Sequence, residues 1–120
     1  MKTLFTITLV VELIFALGFI AVPGVMFGTF GVTLDAYSTA LTRVLGSALL
    51  GFAVLLWYGR SSSSADLHKA VYRSMFTYFL VSSVFLLIAQ LAGLLNAMGW
   101  GVVGLHVIFA IAFAGYAFKK

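Results

Sequence analysis

Along the chain, apolar residues come in four long runs, at about Leu4 to Val22, Ala36 to Tyr58, Val71 to Leu95 and Trp100 to Phe118. Each approaches or exceeds the ~20 apolar residues that a helix needs to cross a hydrocarbon layer ~30 Å thick. Helix is the required conformation, because lipid cannot satisfy open backbone groups and the runs lack the alternation of a membrane strand. The expected fold is therefore all-α, a four-helix integral membrane bundle running up-down-up-down over residues 1–120 as a single domain.

Explicit breaks separate the runs. Pro23-Gly24 closes the first, since proline disfavours helix in its predecessor and glycine permits a reversal. Arg60 and Ser61 to Ser64 open a polar loop after the second, and Asn96-Ala97-Met98-Gly99 forms a tight turn between the last two. Asp35 is placed to cap the second helix, and Asp66 to cap a short extension of the third, with Lys69 and Arg73 along its polar start. The segment VMFGTFGVTL, Val25 to Leu34, is too apolar for a solvated loop and belongs in the outer interface. No internal repeat of the inverted-transporter kind stands out.

Charge adds direction. Lys2 precedes the first run, Arg60, Lys69 and Arg73 lie between the second and third, and Lys119 and Lys120 follow the fourth, while the other two connections hold no basic residue. Six against none is a positive-inside signal that puts both termini in the cytoplasm. Trp57, Tyr58, Tyr72, Trp100 and Tyr116 near the run ends suit interfacial aromatic belts. A cleaved leader is the competing reading of the N-terminus. The first run argues against it, being long, holding Glu12 and offering no small residue at the minus-three position before Ala21.

Composition narrows the chemistry. The chain is 63% hydrophobic and 8% charged, with no cysteine, which removes disulfide, thiolate-metal and cysteine-nucleophile readings. The net charge of +4 gathers at run ends rather than on one face, so nucleic acid is not an expected partner. No GxSxG, phosphate-binding glycine loop or HExxH is present, and two of the three carboxylates lie in or near loops. The expectation is a non-enzyme.

What remains is a set of polar and small residues inside the runs. Helical spacing aligns Thr8, Glu12 and Ala16; then Arg43, Gly46, Ser47 and Leu50; then Ser83, Gln90 and Gly93; and then Gly104, Ile108, Ala112 and Gly115. Gly46, Ser47, Ser83, Gly93 and Gly104 are read as helix-packing positions, where small residues admit close approach and hydroxyl or amide groups bond across the gap. Glu12, Arg43, Gln90 and His106 form the candidate intramembrane polar set. Glu12 and Arg43 invite an ion pair, since each is costly alone. Counted from the outer ends, however, their Cα levels differ by roughly 5–9 Å, and their side chains lean in opposite directions. A direct pair then needs a favourable register or an intervening water or polar group. Otherwise Arg43 snorkels outward, and Glu12 is protonated or bonded to another helix or subunit. His106 reads first as a histidine hydrogen-bonded between helices, and second as a proton carrier or the axial ligand of a pigment. No metal set accompanies it. The other histidine, His68, lies in the cytoplasmic segment, so a haem would need a partner subunit; the sequence requires no cofactor.

From the first run ending near Pro23, through FGTFGV at Phe27 to Val32 and TRVLGSALLGFAVLLWYGR at Thr42 to Arg60, the first half resembles a broad class of small four-helix bacterial membrane proteins of unknown function. The resemblance implies the bacterial inner membrane and carries over no active site. It also implies structural roles for Arg43, anchoring the outer end, and for Gly46, allowing close contact. The leading functional expectation is an accessory or scaffold subunit, surrounded by lipid and docked on other integral membrane subunits or on itself. The alternatives are a small proton-coupled transporter or channel acting as a homo-oligomer through Glu12, and a quinone-, haem- or chlorophyll-binding subunit using His106.

Overall fold

A computed structural model describes residues 1–119. Its described elements are all helical: α1 (Lys2–Ala21), α2 (Pro23–Gly28), α3 (Ala36–Ser61), α4 (Ala65–Leu91) and α5 (Gly99–Ala117). All but α2 are long and apolar enough to cross a membrane. The chain forms two compact units, Met1–Ser61 and Ser62–Lys120. In the first, α1 packs along α3 with α2 across their end; in the second, α4 packs along α5. Each unit thus pairs a long helix with a short one, α3 of 26 residues with α1 of 20, and α4 of 27 with α5 of 19.

Local chemistry places the helix ends. Val22 breaks α1, and Pro23 then starts α2 at a first-turn position where its missing N–H costs nothing. The apolar character of the following segment has a cause the sequence did not reveal. α2 folds back onto α1, with Phe27 stacked on Phe19 at 5.4 Å between ring centroids and Met26 lying over Gly18, where a Cβ would meet its sulfur at 2.6 Å. Gly31, at φ 76°, then ends this turn: its N–H reaches the Gly28 carbonyl and that of Val32 reaches Phe27. These paired bonds form a Schellman motif, which requires a left-handed residue.

α4 departs furthest from expectation. It starts at Ala65 rather than Val71, because the Ser64 hydroxyl accepts from Leu67 N–H and Asp66 occupies the first turn. It ends at Leu91 rather than Leu95. Gly93 lies outside the helix at φ 74° and builds a second Schellman motif, Gly93 N–H to Gln90 and Leu94 N–H to Ala89. A position assigned to a packing stripe is in fact the helix stop. α3 runs three residues past Tyr58, to Ser61, whose hydroxyl bonds back to the Trp57 carbonyl.

Within the first unit the buried line of α1, Phe5, Thr8, Glu12, Ala16 and Phe19, belongs with the α3 line Thr42, Gly46, Leu49, Ala53, Leu56 and Gly59. At Gly46 the two helices come close. A Cβ there would lie 3.0 Å from the Ala16 carbonyl oxygen and 2.9 Å from Ile20. The second unit is held by aromatic rings instead. Tyr72 stacks on Tyr116 at 5.0 Å, Phe79 on Phe113 at 5.9 Å, and Phe79 also meets Phe109 at 4.9 Å.

Candidate functional site

Serine and threonine within the helices bond locally. The hydroxyls of Thr8, Thr42, Ser47, Thr77, Ser82 and Ser83 donate to carbonyls four residues back on their own helices, at 2.5–2.9 Å. In an apolar surrounding this bond is always within reach, so the hydroxyls do not wait for a neighbouring helix. Ser83 is buried and Ser47 exposed, so Ser47 stands outside the α1–α3 seam. Gly104 is half-buried, and a Cβ there would meet nothing within 4 Å, so it provides no close approach.

Arginine does reach across. Arg43 Nε donates to the Ile20 carbonyl at 3.2 Å, and Arg73 Nε to the Ala117 carbonyl at 3.5 Å. Ile20 and Ala117 lie in the last turns of α1 and α5, where carbonyls have lost their helical partners and the helix dipole favours a cation. The two units therefore share a device. An arginine near the start of the long helix caps the C-terminus of the short one. The sequence offers a partial signal for it, an arginine seven or eight residues into each long helix, but nothing that names the carbonyl.

With Arg43 committed to Ile20, the ion pair with Glu12 is not formed. Ile20 lies eight residues beyond Glu12 along α1, about 12 Å at the helical rise. Glu12 is only 4% exposed, on the buried line with Thr8 and Ala16, and the described residues supply it with neither a hydrogen bond nor a salt bridge. Such depth leaves little surface through which another subunit can reach the carboxyl.

In the second unit, Gln90 and His106 have separate surroundings. Gln90 Nε2 donates to the Asn96 carbonyl at 3.1 Å and weakly to Leu95, and its Oε1 presses on Gly99, which fastens the α4–α5 connection. That oxygen is buried without a hydrogen bond. Asn96 turns its own Oδ1 to the Met98 N–H at 3.0 Å just before α5 begins. His106 contacts the Val102 carbonyl through Nδ1 at 2.9 Å, and its ring lies edge-on to Phe79 at 5.4 Å and tilted to Tyr78 at 6.0 Å. It is the last rung of the aromatic ladder. Among the described residues no three histidine, cysteine or acidic side chains gather where a metal ion could sit.

A family model matches residues 6–118, a span that takes in α2 to α5, all of α1 after Phe5, and every polar residue just described. The chain belongs to the DUF8292 family, a domain of unknown function. No curated protein and no solved structure matches it. For DUF8292 the arrangement seen here is two helical hairpins, each closed by an arginine on a helix end.

Proposed function

We propose that this DUF8292 protein is a non-enzymatic, multi-pass protein of the bacterial inner membrane that serves as an accessory or scaffold subunit of a larger membrane complex. The observation that carries the reading is the outward face of the long helices. Each buries one narrow line and turns large apolar side chains elsewhere, with Phe85 66% and Ile111 69% exposed. Water does not tolerate such a surface over four helices, whereas lipid and the apolar flanks of other membrane proteins do. Arg43, Arg73 and Gln90 are engaged in holding helix ends and a turn, which favours a structural role. The six-to-none distribution of basic residues supports alternating crossings with both termini cytoplasmic.

Mild detergent extraction followed by size separation and crosslinking tests the reading. The protein should migrate with other integral membrane proteins in fixed stoichiometry, and the association should weaken when Phe85 or Ile111 is replaced by a bulkier tryptophan. A lone monomer under every mild condition would overturn it.

A further inference from the structure

We infer that Glu12 is a proton-exchanging group of the membrane interior, reached from the side of the α1 N-terminus. Glu12 sits near the middle of α1, ten residues from Lys2 and nine from Ala21, or roughly 14–15 Å from either end. It is nine-tenths buried and more, and the described residues give it no hydrogen bond and no counter-ion. No facing group supplies one. The buried line of α3 carries nothing titratable, α2 has no titratable residue, Arg43 is held at the Ile20 carbonyl, and Arg60 lies over the Trp57 ring at 5.2 Å. Tyr37 and Tyr58 of α3 point outward.

Polar side chains are spread unequally along the helix. Between Lys2 and Glu12 stand Thr3, Thr6 and Thr8, whereas Leu13 to Ala21 contains no side chain that hydrogen-bonds. Thr8 is fully buried one turn from Glu12 on the same line. Its hydroxyl proton is committed to the Leu4 carbonyl at 2.9 Å, so toward Glu12 it offers an oxygen lone pair. That oxygen can accept from the acid form of Glu12. The reaction is a simple exchange: the carboxylate takes one proton from hydronium on the N-terminal side, becomes neutral, and returns it to water. No other reactant is needed. A group of this kind changes the charge inside the apolar layer by one unit, which is how membrane proteins couple proton uptake to movement. The inference does not depend on the accessory-subunit reading and holds equally for a protein acting alone.

Glu12 is the only glutamate among the three acidic residues, so the wild-type protein can report on it directly. Cell-free synthesis with carboxyl-labelled glutamate, followed by reconstitution into sealed phosphatidylcholine vesicles sorted by orientation, isolates its carbonyl stretch in infrared spectra. The labelled band should convert between acid and carboxylate positions as buffer pH is changed. After a pH jump on one side only, conversion should follow the side bearing the α1 N-terminus. Thr8→Val should slow conversion while leaving its end points in place, and Glu12→Gln should abolish reaction with a hydrophobic carbodiimide. A labelled band that stays in one form from acid to alkaline buffer, or one that follows the opposite side, would overturn the inference.

Discussion

Gly46 shows how a single missing side chain sets a helix seam. Its Cα faces the Ala16 carbonyl, Phe19 and Ile20 so closely that one added methyl must displace backbone as well as side chain. Gly46→Ala should therefore destabilise the first unit by about 1–3 kcal/mol, the usual cost of overpacking. Gly51, on the same helix, is exposed, and a methyl added there would have nothing within 4 Å, so Gly51→Ala should be neutral or stabilising by up to about 1 kcal/mol. Reversible unfolding in mixed micelles, comparing both variants with wild type, checks the contrast. Equal effects would mean that α1 and α3 do not approach at Gly46. The importance of this glycine was legible from its place on a stripe. That of Gly104 was read by the same rule, yet it meets open space, because spacing records which residues share a face and not what lies opposite.

At the scale of elements, capping was readable at Asp35 but not at Asp66, where Ser64 takes the expected capping place and Asp66 lies in the first turn. Asp35 was expected to cap α3, and the structure adds the reciprocal partner: Ser38 N–H donates to Asp35 Oδ1 at 2.7 Å while the Asp35 N–H donates to Ser38 Oγ at 2.9 Å. Donation from the Ser38 backbone, then from its hydroxyl, holds the Asp35 carboxyl below its ordinary value. A carboxyl lowered by folding contributes stability above its unfolded value and loses it as pH falls through the folded one. Amide exchange at Ser38 and Thr39 should accordingly accelerate on acidification below the normal aspartate range, and Asp35→Asn should flatten that pH dependence. The two glycine stops were harder to read. Gly31 and Gly93 are two of 12 glycines, and a Schellman motif is defined by φ and by which carbonyl is reached, neither of which the residue letter reveals.

For the whole molecule, the absence of native cysteine makes topology directly testable. Single cysteines at Ser62, between α3 and α4, and at Thr29 and Asn96, in the other two connections, should label from opposite sides of sealed inner-membrane vesicles. Ser62→Cys should react from the cytoplasmic face, and Thr29→Cys and Asn96→Cys only from the other. Labelling of all three from one face would rule out four alternating crossings. The same preparation serves the accessory-subunit reading, since the outward apolar faces exemplified by Phe85 and Ile111 are the surfaces on which crosslinks to other subunits are expected.

Length, apolar run and charge distribution were enough to give four long helices, their order and their approximate ends, because those properties depend on hydrophobicity summed along the chain. The azimuth of each helix could not be read in this way. In a soluble helix the buried face is the apolar one, but here core-facing and outward-facing positions are both apolar, so Phe79 and Phe85 read alike although one is buried and the other exposed. Only the tertiary structure decided which stripe packs, that Arg43 leaves Glu12 for the Ile20 carbonyl, and that Arg73 does the same for Ala117. A charged group among apolar residues takes the nearest unpaired polar atom, and where that atom lies is a matter of how the helices are paired.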